Sequence, residues 1–146
     1  MNTLEINRIL DACKLTRDSY LGCYPSDKIP IFTRFPSSCV INTDSSTGEG
    51  THWVAIFAPN IRHIFYFDSL GAMPNYNISK YLSSYINFKR NVKSYQSIFS
   101  NLCGQYCICF IYFLSLNPNY KNFLNLLSSY NNADFFVTHF IKNFCK

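Results

Sequence analysis

The 146-residue chain is 48% apolar and 18% aromatic, which excludes a disordered protein and suits one domain over residues 1–146 with a sizeable core. Its net charge of +5 suits an anionic partner such as nucleic acid as well as a plain basic surface, and no long basic block decides between them. The longest apolar run, Tyr106 to Leu116, falls short of the ~20 residues that cross a bilayer, so no membrane partner is expected.

In chain order, Asn2 to Leu15 reads as a helix, with Asn2 as cap, Glu5 at the reciprocal capping-box position, and Leu4, Ile9, Leu10 and Cys13 on one face. The same stretch, MNTLEINRILDACK, lacks the apolar region of a secretory signal. The expected setting is therefore intracellular and reducing. Residues 20–38 hold Gly22 and prolines 25, 30 and 36 and read as irregular chain. Cys39 to Asn42 suits a short strand, and DSSTGEG at 44–50 a polar loop. His52 to Ala58 and His63 to Asp68 read as two strands of a hairpin turning at Pro59–Arg62. Pairing Ala58 with Arg62 puts Ile56 opposite Ile64, Val54 opposite Tyr66, and His52 opposite Asp68, with Cβ atoms ~5 Å apart on one face. Ser69 to Pro74 is a loop, Ile78 to Phe88 a helix, and Val92 to Tyr95 a short strand. Cys103 to Leu116 is apolar all round, as a buried helix is, and Asn117-Pro118 ends it. Phe123 to Tyr130 and Phe135 to Phe144 read as two further helices.

Three of seven cysteines crowd into QSIFSNLCGQYCICF at 96–110. A zinc site wants a second short pair of ligands, and none exists, so no metal is expected. An odd count without a secretory signal reads poorly as a disulfide framework, and thiols on a single helix bridge badly. Cys107 and Cys109 fall inside the apolar helix and read as packing residues, as do Cys13, Cys23, Cys39 and Cys145. Cys103 differs, because it stands where polar loop becomes apolar helix. A helix N-terminus favours the thiolate, and Gly104 next to it lets a substrate approach the backbone. On this segment alone, packing and catalysis both stay open for Cys103.

A thiol nucleophile needs a base, and the base needs an orienting group. His52 and Asp68 on the hairpin make such a pair, the carboxylate setting the imidazole tautomer. Gln96 offers a side-chain N–H to a developing oxyanion. His63, at the hairpin turn, and His139, on the last helix, read as structural.

Together THWVAIF at 51–57, YFDSLG at 66–71, Gln96 and LCGQYCICF at 102–110 resemble the adenovirus endopeptidase (adenain) family of cysteine proteases, which is related to the SUMO-specific proteases. YLGCYPSDKIPIF at 20–32, CVINT at 39–43 and the seven-residue step from Gln96 to Cys103 resemble the adenoviral branch, so the resemblance covers nearly the whole chain. It implies an α+β fold, with a central mixed β-sheet flanked by helices and the nucleophile at the N-terminus of a buried helix. It implies Cys103 as nucleophile, His52 as general base and then acid, Asp68 as its orienting group, and Gln96 with the Cys103 N–H as oxyanion hole. Trp53 and Gly104 would line the substrate cleft.

Asp68 stands where the adenoviral enzymes commonly have Glu and the SUMO-specific proteases Asp. Either carboxylate accepts the imidazole proton. Residues 80–96 hold no cysteine, with Tyr85 near the expected place, so covalent activation by a disulfide-linked viral peptide is not implied. The chain is also shorter than the adenoviral enzymes.

The reading is a cysteine endopeptidase, expected as a monomer, that cleaves viral or virus-like precursor proteins at Gly-containing sites in the host nucleus or virion. Its chemistry needs no cofactor, and the resemblance admits DNA or a short peptide as activator. Two alternatives stand beside it: a deconjugating protease for a ubiquitin-like modifier, and a non-enzymatic nucleic-acid-binding virion protein on the same fold.

Overall fold

Side-chain alternation in the central strands sets the layering. The computed structural model describes residues 1–48 and 50–144. Its strands are β1 (Tyr20–Pro25), β2 (Ser37–Asn42), β3 (Trp53–Asn60), β4 (His63–Phe67) and β5 (Asn87–Arg90), in that order across one sheet. The outer pairs run parallel and the two inner pairs antiparallel. The helices are α1 (Thr3–Ala12), α2 (Tyr76–Leu82), α3 (Cys103–Leu116), α4 (Tyr120–Ser128) and α5 (Ala133–Phe144).

Ala55, Phe57, Phe65 and Phe67 join one buried cluster with α1, α3, α4 and α5. Val54, Ile56, Ala58, Ile64 and Tyr66, at the alternate positions, join a second with Phe32 and with Ile78 and Leu82 of α2. Strands apolar on both faces belong to a sheet covered on both sides. Helix α3 is the centrepiece of the larger cluster. Tyr106, Cys107, Ile108, Cys109, Phe110, Ile111 and Leu114 are all buried, which explains its lack of a polar face. At about 1.5–3 kcal/mol for each large apolar side chain buried, this helix is a main anchor of the fold.

Helix α3 and the α1 capping box have the ends and partners expected; Glu5 N–H donates to Asn2 Oδ1, and Asn2 N–H to Glu5. Other expectations need correcting. Ile6 replaces Leu4 on the buried face of α1, and Leu4 is exposed. Residues 20–25 are a strand, not irregular chain. Gly22, at φ 131°, sits at a register shift and lets this edge strand bend. Helix α2 stops at Leu82, where the Ser83 and Ser84 hydroxyls bond back to the carbonyls of Lys80 and Tyr81. The strand expected at 92–95 lies instead at 87–90, because the Tyr95 and Gln96 N–H groups are both spent on the Ser69 carbonyl.

The hairpin register is also displaced. Ile56 pairs with Tyr66 and Phe57 with Phe65, so the expected pairing is off by two residues. Asn60 pairs with His63, its Oδ1 accepting from the Arg62 and His63 N–H groups, and an irregularity spans Phe57 to Asn60. Pro59, which has no N–H for the ladder, lies within that irregularity. An even slip leaves every side chain on its expected face.

Past β4 the chain is pinned by Asn91, which is 2% exposed. Its Oδ1 accepts from Asp68 N–H (3.0 Å) and Tyr120 Oη–H (3.4 Å), and its Nδ2 donates to the carbonyls of Asp68 (2.6 Å) and Lys93 (3.0 Å). All four bonding positions of the amide are used. Gly71, at φ 71°, closes the same turn, and a Cβ there would lie 2.8 Å from the backbone of Val92 and Lys93. Asn91→Ala strands one buried donor and weakens two acceptors. Urea unfolding should show a loss of about 3 kcal/mol, since each unsatisfied buried group costs about 1–3 kcal/mol; a loss under about 0.5 kcal/mol would mean that water replaces the amide at no cost.

Candidate active site

Cys103 opens α3, half-buried, and the helix has no side-chain N-cap. Its first N–H groups are therefore free for other acceptors. His52 immediately precedes β3, and Asp68 immediately follows β4. Continuing the observed register puts Asp68 opposite Val54 rather than His52. The two remain diagonal neighbours on one face, within reach of each other. His52 Nε2 lies 2.7 Å from Asp68 Oδ1. That leaves Nδ1 for the Cys103 thiol, which lines the same cleft as His52 and lies close enough to feel its charge.

Asp68 is 3% exposed, and its Oδ1 also accepts from Leu70 N–H at 2.9 Å. With the Asn91 clamp on its backbone, the carboxylate has little freedom to turn.

The protonation states follow from these contacts. Burial pulls the His52 pKa down, but the hydrogen bonds and charges of Asp68 and Cys103 outweigh it and carry the imidazole up to about 9. Burial pushes the Cys103 thiol up, but His52, the backbone N–H groups of Trp53 and Gly104, and the His52 charge hold it below the ordinary thiol value. The two shifts have opposite signs and both favour the charged forms, a thiolate beside an imidazolium. The other buried thiols go the opposite way. Burial alone raises Cys109, burial raises Cys39 and Cys107 further with nearby like charges, and Cys23 rises to about 11. Cys107 and Cys109 are packing residues, and Cys145 lies outside the described residues.

Gln96 is 7% exposed. Its Nε2 donates to the Ser100 carbonyl (2.9 Å), and its Oε1 accepts from the Ser69 hydroxyl (2.5 Å). One amide hydrogen is left unassigned. Among the described residues no hydrogen bond joins Gln96 to Cys103.

Trp53 lines the cleft beside His52 and Cys103, a space of about 360 Å³, and its indole N–H donates to the Met1 carbonyl (3.1 Å). A Cβ on Gly104 would come within 3.0 Å of Met1 and 3.3 Å of Ile6. The space beside Gly104 thus admits the N-terminal segment. An adjoining cleft of about 420 Å³ shares Thr3, Asn42, Gly50 and Trp53 and extends the trough toward Tyr24 and Lys28. A larger cleft of about 580 Å³ lies between the 26–35 segment and α2, and none of Cys103, His52, Asp68, Gln96, Trp53 and Gly104 lines it.

His63 bonds to the Asn60 side chain, and His139 stacks on Phe135. Among the described residues no group of three or more His, Cys, Asp or Glu is arranged to hold a metal. Sequence reasoning missed Asn91 and Ser69. Asn91 left no signal in one asparagine-rich chain, whereas Ser69 sat in the YFDSLG motif, next to the residue singled out.

No protein-family model matches the chain. It is 30% identical over 99 residues to the protease of snake adenovirus serotype 1, an alignment covering 56% of this chain and 49% of that one. It is 29% identical over 119 residues to a cysteine protease of African swine fever virus, covering 71% of this chain and 43% of the relative. The chain thus spans under half the length of either relative. The crystal structure of the African swine fever virus protease superposes with a TM-score of 0.62 at 19% identity, over 84% of this chain and 60% of that one. The chain is a homologue of these viral cysteine proteases and has their α+β, adenain-like fold.

Proposed function

We propose that this chain is a one-domain cysteine endopeptidase acting on viral or virus-like precursor proteins. The observation that carries the reading is the Cys103–His52–Asp68 chain of contacts, with the thiol held below and the imidazole above their ordinary values.

The steps follow from the charges. The Cys103 thiolate attacks the scissile carbonyl carbon, and the carbonyl oxygen takes the negative charge. The remaining Gln96 amide hydrogen and the Cys103 N–H at the α3 start meet that oxygen. The intermediate collapses, the C–N bond breaks, and the His52 imidazolium gives its proton to the departing amine. The neutral imidazole then takes a proton from water, which attacks the thioester and releases the acid and the thiol. Asp68 holds His52 in the tautomer that serves both steps. The substrate lies in the trough past Trp53.

The family resemblance adds Gly-containing cleavage sites, action in the host nucleus or virion, and DNA or a short peptide as activator. Adding each activator to the assay tests that part. Asp68 in the place of Glu favours deconjugation of a ubiquitin-like modifier as a second reading. A panel of capsid-precursor peptides and modifier conjugates separates the two.

Cys103→Ala should abolish hydrolysis of any substrate the parent cuts; retained cleavage would end the proposal. The pH profile of hydrolysis should be bell-shaped. Its acid limb follows Cys103 and lies below the free-thiol pKa of ~8.5. Its alkaline limb falls near pH 9, where His52 loses the proton that the leaving amine needs. Iodoacetamide alkylation of Cys103, resolved by mass spectrometry, should show only the acid limb, because it needs the thiolate alone. In His52→Ala that limb should move up toward ~8.5, with burial opposed only by the Trp53 and Gly104 N–H groups. An unmoved limb would mean that His52 does not activate the thiol.

A further inference from the structure

Ser69 sits beside Asp68 and is 1% exposed. A buried hydroxyl must find a partner, and this one donates to Gln96 Oε1 at 2.5 Å. The Ser69 carbonyl accepts from the N–H groups of Tyr95 (2.8 Å) and Gln96 (3.0 Å). Ser69 thus grips Gln96 twice, by backbone and by side chain.

The orientation of the Gln96 amide follows from chemistry. Its other end meets the Ser100 carbonyl, which can only accept, so the NH₂ group must point there. The Oε1 atom must then face Ser69, whose hydroxyl can donate. Both ends of the amide are defined, and the second N–H direction is defined with them.

We propose that Ser69 is the positioning residue of the oxyanion hole: its hydroxyl locks the Gln96 amide so that one N–H stays aimed at the oxyanion. The proposal rests on the thiol-protease reading. It also makes the Asp68-Ser69 dipeptide the common support of both halves of the site. Asp68 holds the base, Ser69 holds the oxyanion donor, and Asn91 clamps the backbone between β4 and both. Without the hydroxyl, Gln96 loses the partner at its Oε1 end. The amide can then rotate, and the glutamine side chain regains conformational freedom.

Two reagents separate orientation of the hole from activation of the thiol. p-Nitrophenyl acetate acylates the thiolate through a tetrahedral oxyanion, releasing p-nitrophenolate. Iodoacetamide alkylates it by displacing iodide, with no oxyanion. Gln96→Ala should lower Cys103 acylation by about 100-fold, within the range for removing one oxyanion donor, and leave alkylation within about two-fold. Ser69→Ala should lower acylation about 10-fold, again leave alkylation within about two-fold, and add nothing in the Gln96→Ala background. Ser69→Thr, which keeps the hydroxyl, should acylate at nearly the parent rate. Unchanged alkylation reports that the variant is folded; should Ser69→Ala not fold, Ser69→Gly makes the same deletion.

The proposal fails if Ser69→Ala lowers both rates together, changes neither, or acts equally with and without Gln96. A different result ends the underlying reading. If Cys103 in the parent reacts no faster than Cys13 with either reagent, the thiol is not activated, and the assignment of Ser69 falls with it.

Discussion

A charged imidazole and a thiolate, each partly withdrawn from water, are stable only where other groups replace the lost solvent. His52 and Cys103 meet that condition through donors and acceptors from separate parts of the chain. The start of β3 supplies the Trp53 N–H, the start of α3 the Gly104 N–H, and the turn after β4 the Asp68 carboxylate. None of these elements holds the pair alone. The sheet register, the burial of α3 and the clamp of Asn91 therefore all act on one quantity, the relative position of three side chains. The two interior layers serve the same end, because close-packed interiors resist small displacements.

How far the site could be foreseen depended on the range of the interactions. His52 and Asp68 were paired from alternation alone, and that survived a register error of two residues because parity, not pairing, decides the face. Cys103 was legible because the change from polar to wholly apolar sequence marks the N-terminus of a buried helix. Strands β1 and β5 were not legible. Each is a short edge strand whose existence depends on a parallel neighbour far away in sequence, and Gly22 and Pro25 locally argue for a turn. Asn91 and Ser69 were hidden for the same reason. Asn91 closes its bonds across 23 residues and Ser69 across 27, and nothing in the residues around them announces either partner.

This chain spans under half of the snake adenovirus and African swine fever virus proteins it matches. Yet the sheet, the central helix, and the residues proposed as nucleophile, base, orienting carboxylate and oxyanion donor all lie within it.

The three clustered thiols of α3 also differ in vulnerability to oxidation. The thiolate is the form that peroxide attacks, giving a sulfenic acid, and the lowered Cys103 pKa favours that form. Cys103, half-buried in a cleft, is open to that reaction, while Cys107, one turn along the same helix, is 1% exposed and held protonated by its burial. Nor can Cys107 easily resolve the product, since two thiols one turn apart on a rigid helix are badly placed for a disulfide. Recovery of an oxidised Cys103 would then depend on a soluble thiol small enough to enter the cleft. A charge separation suited to the proposed acyl transfer would thereby make the proposed activity follow the redox state of the surroundings.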